Sequence, residues 1–227
     1  MRIGVLGTGV VGRTLAGKLA ERGNDVVMGS RDPSALAGRT EPERMGNESF
    51  AEWHGKHPVV RLATFAESAA HGQMVVNATA GAASLEALRS AGEDNLAGKV
   101  LLDVSNPLDA SQGFPPLLFV SNTDSLAERI QRAFPRARVV KSLNTVTAGV
   151  MVEPSLVAGG DHAAFVSGDD DEAKEQVTSL LREALGWRHV IDLGGITSAR
   201  GAEMYLSLWL RLMGTLETPM FNVSIVT

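Results

Sequence analysis

Cysteine is absent from all 227 residues. Disulfides, thiolate nucleophiles, iron–sulfur clusters and cysteine-ligated zinc are therefore excluded, and a reducing, cytoplasmic setting is the expected one. Aromatic residues are scarce, at 5%. The single tyrosine, Tyr205, is followed four positions later by Trp209 rather than lysine, so the Tyr-x-x-x-Lys pair used for carbonyl reduction in short-chain dehydrogenases is missing. No run of about 18 uninterrupted apolar residues occurs, and the N-terminus turns glycine-rich and charged too soon for a signal peptide, so no membrane partner is expected. A long Lys/Arg block is also lacking. With 21 basic against 26 acidic residues the net charge is −5, which argues against nucleic acid as a partner. The last lysine is Lys174, and residues 196–227 are too few for the large helical substrate domain of hydroxyacid dehydrogenases. Neither G-x-S-x-G nor H-E-x-x-H occurs. His54 and His57 have metal-like spacing, but they lie beside Gly55 and Pro58 without an obvious carboxylate, so they are a weak metal site. What remains, 44% hydrophobic and 21% charged, is the composition of a globular chain long enough to bury its own core.

Short apolar runs alternate with segments of helical period, the pattern of βα units around a mostly parallel sheet. "RIGVL" from residue 2, "DVVMG" from Asp25, "VVRLA" at 59–63, "MVVNAT" from Met74, "KVLLDVS" from Lys99 and "ARVVKSL" from Ala137 read as strands. Helices are expected at 10–22, 82–91 and 123–134, the last capped by Asn122 or Thr123. Between 32 and 58, Asp32-Pro33, Gly38 and Glu41-Pro42 predict a broken helix and a variable excursion. "AAFVSG" at 163–168 precedes an acidic helix start at Asp169–Glu172, suited to a helix N-terminus and predicting a helix to about Gly186. After a short strand in "WRHVIDLGG", residues 198–216 read as a helix that is apolar nearly all round. Deep packing or a homodimer interface would account for it, and the homodimer is preferred. The fold class is α/β, a doubly wound, mostly parallel sheet with a C-terminal helix.

Gly7-Thr8-Gly9-Val10-Val11-Gly12 matches G-x-G-x-x-G directly after a predicted strand and directly before a predicted helix. Gly7 permits the tight turn, Gly9 lets a pyrophosphate approach, and Gly12 lets helix and strand pack closely, with the helix N-terminus facing the phosphates. A dinucleotide is the expected ligand. Its kind is decided at the end of the second strand, where NAD-binding chains place a carboxylate for the ribose hydroxyls. Here stand Gly29-Ser30-Arg31. A hydroxyl and a guanidinium suit a ribose phosphate, so NADP(H) is the expected cofactor. Asp32 complicates this, because Ser30 to Pro33 would also make an exposed turn in which Asp32 caps a short helix.

Ligands in open α/β sheets lie outside the carboxyl ends of the strands. The residues there are Ala78, Thr79 and Ala80, then Ser105, Asn106 and Pro107, then Asn144 and Thr145. Their small and amide side chains admit a cofactor and can bond its ribose or carboxamide; Asn106 and Asn144 are equally suited to satisfying loop backbone. No catalytic acid is evident. A hydride donor without one suggests an acceptor that needs little proton help, such as a flavin-like ring, with catalysis carried by positioning.

The segments "GVLGTGVVGRTLAGKLAERGNDVVMGSRDP" at 4–33, "DVSNPLD" at 103–109, "VVKSLNTVTAGVMVEP" at 139–154, "FVSGDDDEAKEQVTSLLREALGW" at 165–187 and "DLGGITSARGAEMYLSLWLRL" at 192–212 resemble the coenzyme F420-dependent NADP oxidoreductase family. The resemblance runs nearly end to end. It implies that Ser30 and Arg31 read the NADP phosphate, and that a deazaflavin, coenzyme F420, lies in a cleft near Asn144, Thr145 and Met204. Departures are a histidine in archaeal-type members where this chain has Asn144, and longer stretches at 38–58 and 109–122. The chain also resembles the NADPH-binding portion of flavin-using ferric reductases, so a flavin acceptor stays open. Arg129, Arg132, Arg136 and Arg138 could receive a polyanionic acceptor tail or simply form a solvated face. The expected division is a dinucleotide-binding domain at 1–195, with residues 196–227 completing the acceptor cleft. Alternative functions are a non-enzymatic NADP(H)-binding sensor and a reductase of a small imine or carbonyl.

Overall fold

The computed structural model describes residues 1–41 and 48–226. Strand β1 (Arg2–Leu6) leads through the glycine turn into α1 (Val10–Glu21) and then β2 (Asp25–Ser30). The excursion contains α2 (Pro33–Ala37) and α3 (Phe50–Lys56) before β3 (Arg61–Thr64), with 42–47 outside the described residues. There follow α4 (Phe65–His71), β4 (Met74–Asn77), α5 (Gly81–Ala91), α6 (Glu93–Leu96) and β5 (Val100–Asp103). A hairpin of β6 (Leu108–Asp109) and β7 (Leu117–Leu118) occupies the 109–122 stretch. The chain then runs through α7 (Leu126–Ala133), β8 (Arg138–Ser142), α8 (Ala148–Val152), β9 (Ala163–Ser167), α9 (Asp171–Glu183), β10 (His189–Asp192) and α10 (Ala199–Leu216).

The large sheet has the order β10-β9-β8-β5-β4-β1-β2-β3. All neighbours pair in parallel except β8 and β9, which are antiparallel, so β9 and β10 run against the rest. Read from β3 to β8, the order is that of a doubly wound dinucleotide-binding sheet, and it reverses between β1 and β4. The strands are apolar on both faces because both faces are covered. Ile3, Val5, Val76, Leu102 and Val140 point into a layer with α1, α8 and α9. Leu6, Val75, Leu101 and Val139 point the other way, against α4, α5 and α7. Each such side chain is worth roughly 1.5–3 kcal/mol when fully buried.

Helix α7 starts later than the sequence pattern suggests, and neither Asn122 nor Thr123 caps it. Asn122 takes a left-handed turn at φ 67°. Ser125 is the extended cap residue instead, and its Oγ accepts from Glu128 N at 3.1 Å. The acidic run before α9 behaves as expected, with Asp170 accepting from Ala173 N at 2.8 Å. The apolar appearance of α10 divides into two faces: Ala199, Ala202, Leu206 and Leu210 are buried, whereas Met204, Leu208 and Leu216 are exposed. No helix among the described residues is long and apolar enough to cross a membrane.

Candidate functional site

The crevice opens where the strand order reverses. Gly7 has φ +112°, and a Cβ there would lie 2.5 Å from the carbonyl oxygen of Ala78, so the turns after β1 and β4 touch backbone to backbone. A Cβ on Gly12 would lie 2.0 Å from Gly7 O, which fixes α1 close against the turn. At Gly9 nothing stands within 4 Å of the corresponding point. The α1 N-terminus carries no capping side chain, so the first-turn N–H groups of Val10, Val11 and Gly12 face outward beside that space, a ready anion site. The cleft has a volume of about 340 Å³ and is walled by Thr8, Ser30, Arg31, Phe65, Thr79 and Ala80, among others. That is within the range of small-ligand pockets.

At the end of β2, Ser30 is only 7% exposed, and its Oγ is buried with no hydrogen-bond partner. A buried hydroxyl with no partner in the protein is free to bond a ligand that reaches it. Arg31 beside it is exposed and makes no ion pair among the described residues. Asp32 is directed elsewhere, accepting from Ala35 N at 2.9 Å to cap α2. The cap reading of this turn therefore holds for Asp32, and it is compatible with an anion at Ser30 and Arg31.

The strand ends on the other side of the reversal are built differently. Thr79 Oγ1 donates to Asn77 Oδ1 at 2.7 Å, and Asn77 Nδ2 donates to Asp103 Oδ1 at 2.8 Å. Ser105 Oγ also donates to Asp103 Oδ1. The other Asp103 oxygen accepts from Lys141 Nζ at 2.8 Å, and Lys141 further reaches Glu203 Oε1 at 3.0 Å and Ser105 O at 2.5 Å. Burial alone would push the Lys141 ammonium down, but the two carboxylates outweigh it and hold its pKa above the ordinary lysine value. Glu203 in turn accepts from the backbone N–H groups of Leu126 and Ala127 at 2.7 and 3.0 Å. None of Asn77, Asp103, Lys141 and Glu203 stands out by motif. The available signal is a charge inside each of the apolar strands "VLLD" and "RVVKS".

Asn106 and Asn144 clasp each other: Asn106 Nδ2 donates to Asn144 O and Asn144 Nδ2 to Asn106 Oδ1, both at 3.0 Å. Asn144 Nδ2 also donates to Ala202 O on α10 at 3.0 Å. Leu143 just before it takes φ 60°, a strained conformation for a branched residue that turns the chain at the strand end. Ser105, Asn144 and Thr145 are buried, and Pro107 O accepts from Phe119 N of the hairpin. Gly7 to Gly12, Ser30, Arg31 and Ala78 to Ala80 thus come together around one crevice. Ser105 to Pro107, Asn144 and Thr145 form a packed ledge toward α10 instead. Beyond that ledge, Pro115, Leu117, Met204 and Arg211 line a groove of about 430 Å³ between the hairpin segment and α10.

Two further sequence candidates are already engaged. His54 Nε2 and His57 Nδ1 lie 2.9 and 2.8 Å from the carbonyls of Val60 and Trp53. Arg129 and Arg132 bind Asp124, Arg136 binds Asp94, and Arg138 binds Glu172, which makes that face a set of surface pairs.

A fold and crevice of this kind are those of a dinucleotide-binding protein. Residues 2–107 match the family model described as NADP oxidoreductase, coenzyme F420-dependent. The F420-dependent NADP reductase of Methanothermobacter thermautotrophicus is 30% identical over 217 residues, covering 93% of this chain and 89% of that protein. A solved structure from Arthrobacter sp. FB24, provisionally assigned as an F420-dependent NADP reductase, superposes with a TM-score of 0.95 at 56% identity, covering 99% of both chains. Metalloreductase STEAP3 of Rattus norvegicus is 31% identical over 221 residues, and the chain spans 38% of its length. An imine reductase from Streptomyces aurantiacus shares the fold, with a TM-score of 0.62 at 17% identity. The chain belongs to the coenzyme F420-dependent NADP oxidoreductase family.

Proposed function

We propose that this protein transfers a hydride between NADP(H) and coenzyme F420, a deazaflavin. The observation that carries the donor half is the buried, unpartnered hydroxyl of Ser30 beside the Arg31 guanidinium, which has no partner among the described residues, with Asp32 committed to α2. A charge-assisted pair of this kind recognises the phosphate on the adenosine ribose, and no carboxylate at that place repels it. The residues of the glycine turn and the α1 N-terminus hold the pyrophosphate; Ala78, Thr79 and Ala80 give the middle of the cofactor a close, uncharged wall. The ledge of Ser105, Asn106, Pro107, Asn144 and Thr145 supports the nicotinamide end, and the acceptor lies toward Met204 of α10.

When bound, the dihydronicotinamide supplies a hydride to the ring carbon of the deazaflavin, whose ring nitrogen takes a proton from solvent. The protein's own share is placement and exclusion of water, which need no acid or base among these residues. The names of the Methanothermobacter reductases support F420 as the acceptor. Residues 1–195 serve as the dinucleotide-binding part and 196–227 as the part that closes the acceptor side. A cytoplasmic location and a homodimer, formed through the exposed Leu208 and Leu216 of α10, complete the proposal. Light scattering across a wide concentration range tests the dimer, and a monomer throughout would remove it.

The reading is tested by anaerobic turnover of NADPH with F420, FMN and FAD, each followed by its own absorbance. Rapid reduction of F420 alone is the expected result. Rapid reduction of FMN or FAD with F420 inert would reassign the acceptor, and tight NADPH binding without turnover of any acceptor would mark a nucleotide sensor.

A further inference from the structure

Lys141 and Glu203 are polar groups shut away from water, and their bonding is complete. The three ammonium hydrogens of Lys141 have three acceptors, Asp103 Oδ2, Glu203 Oε1 and Ser105 O, at 2.8, 3.0 and 2.5 Å. The Glu203 carboxylate receives Lys141 and the first two N–H groups of α7. Asp103 receives Asn77, both donors of Ser105, and Lys141. A buried ion cluster seldom stabilises a fold more than apolar side chains of the same volume would. What apolar packing cannot do is fix direction and length between particular atoms, and here those atoms belong to two different parts of the site.

Lys141 and Asn144 leave the same strand end and grip adjacent residues of α10. Asn144 Nδ2 holds the Ala202 carbonyl, and Lys141 Nζ holds the Glu203 carboxylate. The next residue, Met204, opens on the groove between α10 and the hairpin segment. At its other end the same chain of bonds runs through Asp103 and Asn77 to Thr79, in the wall of the dinucleotide cleft. The network therefore spans from the cofactor crevice to the first turns of α10.

We propose that Lys141 and Glu203 are positioning residues, which hold α10 at a fixed distance from the Ser105 ledge and so set the spacing of the two reacting rings. This rests on the reaction proposed above. The test is Glu203→Gln, which keeps the side chain's length and removes its charge. The expected result is a fall of at least tenfold in the single-turnover rate of hydride transfer at saturating NADPH and F420, counted per NADPH-binding site, with NADPH affinity within twofold of wild type. A merely structural role would lower the thermal midpoint and leave that rate per site within twofold, which would overturn the proposal. Should Glu203→Gln not fold, Glu203→Asp, charged but shorter, is read in the same way.

Wild-type protein that reduces no deazaflavin would count against the reaction, and the positioning claim is then read by hydrogen exchange. In Glu203→Gln, amides of Ser105, Asn106 and residues 199–204 should exchange faster together, with those of α9 unchanged. Faster exchange confined to residues 126 and 127, the direct backbone partners of Glu203, would overturn it.

Discussion

The two sides of the strand reversal fix their proposed ligand groups by opposite means. On the β1 and β2 side, geometry comes from the backbone: a positive φ at Gly7, a helix packed so closely at Gly12 that a Cβ there would lie 2.0 Å from Gly7 O, and open space at Gly9. On the β5 and β8 side it comes from buried charges, Asp103, Lys141 and Glu203, which bond across long separations in the chain. A backbone device tolerates no added atom; a charge device tolerates no missing partner. The contrast can be broken from either side.

The largest effect is expected on the charged side. Lys141→Met strands two buried carboxylates, and removal of one partner from a buried cluster costs about 3–5 kcal/mol; chemical denaturation should show this loss, and a loss under ~1 kcal/mol would place the cluster in contact with water. On the backbone side, Gly12→Ala drives a methyl into Gly7 O and should cost about 1–3 kcal/mol through overpacking, with a matching loss of NADPH affinity. Arg31→Ala removes a charge-assisted bond of roughly 1.5–3 kcal/mol, raising KM for NADPH by tenfold or more and leaving KM for NADH unchanged. Equal shifts for both cofactors would take the phosphate away from Arg31.

The smallest effect concerns how α10 is moored to α7. Arg200 bonds Glu128 through Nε and Nη2 at 2.9 and 2.6 Å and holds the Glu128 carboxyl below its ordinary range. A depressed carboxylate contributes stability that is present above its unfolded pKa and is lost as pH falls through the folded one. The thermal midpoint should therefore drop as pH falls below the ordinary glutamate value of about 4.3, and Arg200→Gln should flatten that drop. An identical slope in the variant would assign the acid sensitivity to other carboxylates.

The same contrast explains what could be read from the residues alone. Backbone devices are local, so the glycine turn, the Ser30-Arg31 end of β2 and the alternation of strands and helices follow from spacing within short windows. The charged side depends on partners brought together by the fold. Lys141 in "RVVKS" and Glu203 in an apolar helix each look like isolated charges, and only the packing of α10 over β8 pairs them. The start of α7 was misplaced for a related reason: Asn122, Thr123 and Ser125 are all competent caps, and the left-handed turn at Asn122 decides among them. The β6–β7 hairpin and α8 are too short to leave a periodic signal.

Direct transfer between the two sides is measured most simply with NADPH carrying deuterium at both nicotinamide C4 positions, incubated anaerobically with the protein and F420. The expected result is deuterium on the ring carbon of the reduced deazaflavin, seen by mass spectrometry. Reduced F420 without the label, or no reduction at all, would contradict hydride transfer from a dinucleotide held at Ser30 and Arg31 to an acceptor held against α10.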